Sequence, residues 1–122
     1  NKILNVLKIK DITNCYGMTE TSPVSFQTSP SDRLLTKQLP WELFWKFKAK
    51  IVDNNGKACP VGVPGEFILK GWAVMKGYWE DARANEKSIV DGWMLSGDIG
   101  VLNKEGYLTI VGRSKDMIIR GG

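Results

Sequence analysis

Apolar and polar residues alternate most regularly in two parts of this chain, and both have the two-residue period of a β-strand. Phe47, Ala49 and Ile51 alternate with lysines, which predicts a strand with one buried face and one face in water. Further on, an apolar run at 99–102 and a β-rich run at 107–111 flank the turn-prone sequence Asn-Lys-Glu-Gly. This order of signals predicts an antiparallel hairpin.

Shorter signals predict the elements around these strands. Residues 11–15 are predicted to form a short strand that runs into Tyr16 and is ended by Gly17. Residues 66–70 are predicted as a strand that follows a loop rich in proline and glycine. Residues 81–88 are predicted as a short helix capped by Asp81. Together these elements predict a small, twisted antiparallel sheet. Large aromatic residues lie between the last strand and the helix, and we expect them to be core or packing residues: Trp72, Tyr78 and Trp79.

Composition limits the class of protein without identifying its function. The chain has 122 residues, 43% of them hydrophobic and 25% charged, as expected for one small globular domain. A net charge of +4 favours an anionic ligand such as a nucleotide, but the scattered lysines do not indicate nucleic-acid binding. The absence of histidine excludes histidine-based catalysis and histidine-ligated zinc. Cys15 and Cys59 are interpreted as unpaired thiols of an intracellular protein.

Two charged residues flank the predicted hairpin. Asp98 precedes its first apolar run and Arg113 follows its second, so both are expected at the open end of the hairpin. A carboxylate accepts hydrogen bonds from two hydroxyl groups, and a guanidinium donates to ring or phosphate oxygens, so the pair suits a sugar diol. From spacing alone, a weak surface ion pair at a strand end is the simpler interpretation.

A polar loop follows the first predicted strand, at the kind of strand end where open α/β sheets bind ligands. Tyr16 offers a flat ring for stacking, Thr19 a hydroxyl for phosphate, and Glu20 a hard oxygen ligand for magnesium. A simple turn held by local hydrogen bonds from side chain to backbone is the alternative interpretation.

The motifs that contain these residues resemble a known family. The run YGMTETSPVSF begins at Tyr16, VGVPGEFILKGWAVMKGYW spans residues 61–79, and GRSKDMIIRGG ends the chain. Their order and spelling resemble the acyl-adenylate-forming enzymes, and within them the AMP-forming acyl-CoA synthetases that act on medium- to long-chain fatty acids. The resemblance covers nearly the whole chain apart from one interval.

The resemblance implies an α/β parent fold, of which this chain would be an internal, mainly β fragment. Residues 1–31 would end the α/β subdomain and contain the nucleotide-binding loop. Residues 49–113 would form a distorted antiparallel β-barrel subdomain, and residues 114–122 the hinge and the start of a C-terminal domain. The family's phosphate loop and adenylation lysine would then lie outside the chain, so we expect the isolated chain to be inactive.

The resemblance also implies roles for individual residues. Thr19 and Glu20 would be catalytic, with Glu20 also binding Mg²⁺, and Lys115 would be the hinge. Tyr16 would lie beside the adenine, while Asp98 and Arg113 would hold the ribose. Nucleotide and acyl contacts together would involve Tyr16, Gly17, Met18, Thr19, Asp98 and Arg113.

The implied reaction has two steps. A fatty carboxylate attacks the α-phosphorus of ATP to give acyl-AMP and pyrophosphate, and the thiol of coenzyme A then displaces AMP to give a thioester. Because the first step joins two anions, it depends on charge neutralisation and in-line positioning more than on an acid or base. The absence of histidine is therefore no obstacle. ATP or AMP, Mg²⁺ and coenzyme A are the implied cofactors and co-substrate.

Residues 32–48 depart from the family pattern. One interpretation is a genuine insert that forms a short helix from Pro40, with Trp41, Phe44, Trp45 and Lys48 on one face. The interpretation that we favour is a local shift of the reading frame in the gene, because the match is good on both sides of the interval.

Two other functions remain open at this stage. One is an adenylation domain for amino or aryl acids, and the other is a small β-rich interaction module without a nucleotide site. The expected partners are a fatty acid, a nucleotide and the rest of the parent chain, with no nucleic acid. No apolar run is long enough to span a membrane, and we expect a soluble protein of the cytoplasm or an organellar matrix.

Overall fold

A computed structural model gives the fold of residues 13–28, 39–40 and 47–114, together with Val6 and Lys8. These described residues are mostly β, with a curled half-barrel sheet and one α-helix. Within the same part of the chain, no helix has the length and apolar composition needed to cross a membrane. Cys15 and Cys59 are both free thiols, as expected.

The strands form two antiparallel sheets. The small sheet pairs β1 (Cys15–Tyr16) with β2 (Phe26–Gln27). The large sheet has the order β3-β8-β7-β5-β4, and β6 pairs with β7. Its elements are β3 (Leu39–Pro40), β4 (Phe47–Val52), β5 (Gly65–Gly71), β6 (Ile89–Val90), β7 (Trp93–Leu102) and β8 (Tyr107–Arg113). The helix α1 (Ala82–Ser88) connects β5 to β6, and a 3-10 helix covers Thr19–Thr21.

The predicted hairpin is confirmed as β7 and β8. Its turn is held by Asn103, whose Oδ1 accepts from the backbone N–H groups of Glu105 at 3.0 Å and Tyr107 at 2.8 Å. Gly106 has a φ of +79°, a conformation that glycine adopts without strain. The helix prediction is also confirmed, because Asp81 Oδ1 accepts the N–H of Ala84 at 2.9 Å.

Two register shifts curl the large sheet. One lies between Glu66 and Ile68 on β5, and the other follows Ile99 on β7. At the second shift Ile99 pairs with Gly112 and the next residue pairs with Ile110, so one residue of β8 is left over. Such bulges bend a strand and increase its twist. The second bulge lies beside the pair formed by Asp98 and Arg113, at the open end of the hairpin.

The core lies on one face of the large sheet, beneath the segment that contains β1 and β2. Phe67 and Leu69 on β5 are fully buried, and Ile51 on β4 is 5% exposed. Phe26 on β2 packs against Phe67 with 5.6 Å between ring centroids. Leu108 on β8 completes the buried cluster. The small sheet is therefore anchored to the large one through aromatic packing.

Two expectations from the sequence are wrong. Trp72 and Trp79 are 71% and 89% exposed, and Tyr78 is 37% exposed, so these aromatic residues are not core residues. They lie on the connection after β5, outside the layer that Phe67 and Leu69 bury. The helix proposed from Pro40 to Lys48 is also wrong at both described ends, because Pro40 pairs with Tyr107 and Lys48 pairs with Lys70 in strands. The rest of that interval, residues 41–46, lies outside the described residues.

Truncating a core aromatic residue should destabilise the fold much more than truncating an exposed aromatic residue. We expect Phe67→Ala to lower the free energy of unfolding by about 3–5 kcal/mol, because it leaves a cavity among fully buried side chains. We expect Trp79→Ala to change it by less than about 0.5 kcal/mol. Denaturant unfolding of the purified chain measures both, and equal losses for the two variants would contradict this placement of the core.

Candidate functional site

Asp98 lies at the open end of the β7–β8 hairpin and is only 5% exposed. Its Cα partner across the hairpin is Arg113, whose Nε donates to Asp98 Oδ1 at 2.9 Å. The hydroxyl of Tyr16 donates to Asp98 Oδ2 at 2.6 Å. Arg113 itself is 64% exposed along its side chain. The predicted juxtaposition of Asp98 and Arg113 is therefore present, with the carboxylate buried and the guanidinium reaching solvent.

The backbone before Asp98 is held by three further contacts. Gly97 has a φ of +74° and donates its N–H to Glu66 Oε1 at 3.1 Å. The Ser96 hydroxyl accepts the Asp98 N–H at 3.0 Å and donates to the carbonyl of Phe67. These bonds tie the middle of β7 to β5, so the Asp98 carboxylate has a fixed direction.

Tyr16 connects the first segment of the chain to this carboxylate. Its ring meets Phe67 edge-on, with 5.4 Å between centroids, and also contacts Phe26. Burial, and secondly donation to Asp98, raise the pKa of the Tyr16 phenol above its ordinary value. The hydroxyl therefore stays protonated and acts as a hydrogen-bond donor to Asp98 at neutral pH.

Gly17 allows the chain to fold back tightly after Tyr16. A Cβ atom at residue 17 would lie 1.7 Å from the carbonyl oxygen of Pro23, so only glycine fits there. Ser25 donates its N–H to the carbonyl of Tyr16 at 2.8 Å and its hydroxyl to Thr21 Oγ1 at 2.6 Å. Thr21 is fully buried. The local hydrogen bonds of this loop thus involve Thr21, while Thr19 is exposed.

Glu20 lies on the 3-10 helix and contacts the connection after β5. Its Oε1 accepts the hydroxyl of Tyr78 at 2.9 Å, and its carbonyl accepts the N–H of Met75 at 2.8 Å. The hydrogen bond to Glu20, more than burial, raises the pKa of the Tyr78 phenol. Ser22 adds a bond from its hydroxyl to the carbonyl of Ala73 at 3.0 Å. The polar loop is therefore held against the connection after β5 through both Glu20 and Ser22.

These contacts bring the two predicted motifs together. Tyr16 and Glu20 are four residues apart, so their Cα atoms are separated by at most about 14 Å. Tyr16 touches Asp98 directly, and Asp98 lies opposite Arg113. Tyr16 therefore connects the loop that contains Glu20 to the hairpin that contains Asp98. Met18 is half-buried between Gly17 and Thr19, and Lys115 lies outside the described residues.

Glu20 is suited to a metal that is bound partly by the ligand, such as Mg²⁺, rather than to a metal bound by protein side chains alone. In the described part of the chain, no group of three or more acidic or cysteine side chains could hold a metal ion. Mg²⁺ is commonly bound by one or two carboxylates together with substrate phosphates. Glu20 supplies one such carboxylate, so the residues present fit Mg²⁺ only if the phosphates of a ligand provide further oxygen ligands.

A groove of about 540 Å³ lies on the other face of the large sheet. Lys50, Ile68 and Trp93 line it, and the Lys50 Nζ atom lies 4.1 Å from the centroid of the Trp93 ring. Successive residues of a strand face opposite sides, so Lys50 and Ile68 point away from the core residues Ile51 and Phe67. The predicted site residues do not line this groove; they lie at Asp98 and on the polar loop after Tyr16.

Tyr78 is the site contact that sequence reasoning missed. The sequence marked it only as one aromatic residue of a glycine-rich stretch. Its partner Glu20 is 58 residues away in the chain, and no local pattern encodes such a contact. Tyr16 was predicted to stack beside a base, but its hydroxyl bond to Asp98 was likewise not predictable from spacing.

Comparison with known proteins gives one family for most of the chain. The model of the AMP-binding enzyme family matches residues 1–79. Human medium-chain acyl-CoA ligase ACSF2, a mitochondrial protein, is 38% identical over 98% of this chain. The acyl-CoA ligase sidI of Aspergillus fumigatus is 37% identical over 99% of it. The chain spans 20% and 22% of these two relatives, so it corresponds to about a fifth of their length.

Solved structures show the same arrangement of strands. O-succinylbenzoate coenzyme A synthetase (MenE) from Bacillus subtilis, in complex with AMP, superimposes with a TM-score of 0.80 and 32% identity. The match covers 99% of this chain and 25% of MenE. The unliganded form of MenE gives a TM-score of 0.84 over 99% of this chain and 26% of that protein.

Removing the two donors to Asp98 one at a time should have unequal effects on stability. We expect Tyr16→Phe to cost about 1.5–3 kcal/mol of unfolding free energy, because it deprives a buried carboxylate of a hydrogen bond. We expect Arg113→Ala to cost less, because solvent screens the exposed guanidinium and Tyr16 still donates to the carboxylate. Denaturant unfolding of the chain measures both, and a larger loss for Arg113→Ala would contradict the burial described for Asp98.

Proposed function

Because the chain belongs to the family of AMP-binding enzymes, we propose that it supplies part of the adenylate site of an AMP-forming acyl-CoA ligase. The observation that carries this proposal is the direct contact between the two family motifs, Tyr16 with Asp98. The names of the relatives, which are acyl-CoA ligases and a coenzyme A synthetase, support the reaction class. The substrates would be a carboxylic acid, ATP and coenzyme A.

In this proposal Asp98 accepts hydrogen bonds from the ribose hydroxyls of the nucleotide. A buried carboxylate is a strong acceptor, and its bonds to Tyr16 and Arg113 hold it in one orientation before the nucleotide arrives. Arg113, on the solvent side, donates to ribose or phosphate oxygens. Asp98 is suited to ribose rather than phosphate, because two anions in contact would repel each other.

Thr19 and Glu20 would act at the phosphates. The exposed hydroxyl of Thr19 donates to a phosphate oxygen, and the carboxylate of Glu20 binds Mg²⁺. When bound, Mg²⁺ supplies positive charge that offsets the phosphate charge as the fatty carboxylate approaches. The chain's own contribution is positioning, because Gly17 and Thr21 hold this loop rigidly next to Tyr16.

We also propose the division of the chain that the resemblance implies. Residues 1–31 would end an α/β subdomain, residues 49–113 would form the β-barrel-like subdomain, and Lys115 would lie at the hinge between domains. The nucleotide site would then lie where the α/β subdomain and the β-barrel-like subdomain meet. The contact of the Tyr16 ring with Phe67 supports this arrangement.

Two classes of acid substrate have specific support. Human ACSF2, which is 38% identical to this chain, is named a medium-chain acyl-CoA ligase, and this name favours a medium-chain fatty acid. The name of MenE favours an aryl acid, at 32% identity. We propose the fatty acid as the substrate. A panel of octanoate, palmitate, benzoate and amino acids, assayed for pyrophosphate release by a complete enzyme that carries this chain, discriminates between them.

Substitution of Asp98 tests the nucleotide assignment. In a complete enzyme that carries this chain, we expect Asp98→Ala to raise the Michaelis constant for ATP, or to abolish adenylation, at a cost of about 2 kcal/mol. Glu105→Ala, on the exposed turn of the same hairpin, is the matched control and should leave the Michaelis constant unchanged. Unchanged ATP kinetics in Asp98→Ala would remove the ribose assignment.

A further inference from the structure

Tyr78 is held in place independently of the residue that its hydroxyl contacts. Asn85 on α1 accepts the N–H of Tyr78 with Oδ1 at 2.6 Å and donates from Nδ2 to the carbonyl of Tyr78 at 3.0 Å. Gly77, with a φ of +150°, lies against the same amide, which a Cβ atom at residue 77 would approach within 2.8 Å. The capped helix α1 therefore fixes the backbone from which the Tyr78 hydroxyl reaches Glu20.

We infer that Tyr78 is a positioning residue for Glu20, which it orients as a magnesium ligand. This inference rests on the proposed function, in which Glu20 binds Mg²⁺. The hydroxyl of Tyr78 donates to Oε1 alone, at 2.9 Å. A donor on one oxygen limits rotation of the carboxylate and leaves the second oxygen, Oε2, to bind the cation in the proposed site.

The energetic reason is pre-organisation. A glutamate side chain has three rotatable bonds, and ordering it upon binding costs conformational entropy. A partner that already holds the carboxylate reduces that cost when the metal binds. Hydrogen-bond partners of metal-ligating side chains commonly contribute ten- to hundredfold to metal affinity.

The contact is not needed to dock the two loops. Met75 donates its N–H to the carbonyl of Glu20 at 2.8 Å, and the Ser22 hydroxyl donates to the carbonyl of Ala73 at 3.0 Å. These bonds do not involve the Tyr78 side chain, so they remain when only its hydroxyl is removed. Tyr78→Phe therefore tests orientation of Glu20 without undocking the loop.

The test is metal binding by a complete enzyme that carries this chain. Mn²⁺ is the probe, titrated in the presence of a non-hydrolysable ATP analogue and followed by the electron paramagnetic resonance signal of free Mn²⁺. We expect Tyr78→Phe to weaken Mn²⁺ binding about tenfold. The Mg²⁺ concentration that gives half-maximal adenylation should rise by the same factor, while the Michaelis constant for ATP at saturating Mg²⁺ stays unchanged. Tyr107→Phe, at the turn end of the hairpin, is the matched control and should leave Mn²⁺ binding unchanged.

Glu20→Gln separates failure of this inference from failure of the proposed function. If Glu20→Gln weakens Mn²⁺ binding but Tyr78→Phe does not, Tyr78 has no positioning role and the metal assignment stands. If neither variant changes Mn²⁺ binding, both the metal role of Glu20 and the inference are wrong. Asn85→Ala provides a second variant, and we expect it to weaken Mn²⁺ binding in the same direction through loss of the Tyr78 backbone clamp.

Discussion

The hydrogen bond from the Tyr16 hydroxyl to Asp98 is the contact on which the site depends. It joins residues that are 82 positions apart in the chain and belong to different sheets. A buried carboxylate without donors would be costly, so the contact meets a physical need of Asp98 as well as defining the site. The contact of the Tyr16 ring with Phe67 also connects the small sheet to the core of the large sheet. One residue thus links the stability of the fold to the position of the predicted nucleotide-binding groups.

Local patterns in the sequence predicted the longer strands and placed Asp98 and Arg113 at the same end of one hairpin. This was possible because alternation and a four-residue turn locate the two strands of a hairpin. The direct pairing of Asp98 with Arg113 depends on the bulge after Ile99, because the register without the bulge would place Asp98 opposite Gly112. The bulge after Ile99 and the bond between Tyr78 and Glu20 were not predictable in this way. Both depend on how distant segments pack, and neither leaves a periodic signal.

The wrong placement of the aromatic residues has a similar origin. Large aromatic side chains are buried on average, but Trp72 and Trp79 lie on a connection whose backbone runs outside the core layer. Tyr78, on the same connection, turns towards the polar loop instead of the core. The residue that was interpreted as packing thereby becomes a contact of the candidate site. Polar loops at strand ends commonly carry function for this reason, since the sheet beneath supplies the rigidity.

The arrangement of charges gives the nucleotide proposal its physical basis. Asp98 and Glu20 are both carboxylates, and in the proposed site each meets an electropositive or hydroxyl group of the ligand. A nucleotide with its magnesium ion offers ribose hydroxyls to the first and a cation to the second. Arg113 then adds positive charge on the solvent side. A fully anionic ligand without a metal would be repelled by the same pair.

The most direct measurement is a crystal structure of a complete enzyme that carries this chain, bound to AMP and Mg²⁺. We expect both ribose hydroxyls within hydrogen-bond distance of the Asp98 carboxylate, with Tyr16 still donating to that carboxylate and Glu20 on the side of the α-phosphate. AMP bound in the groove beside Lys50 and Trp93, or with its ribose away from Asp98, would contradict it.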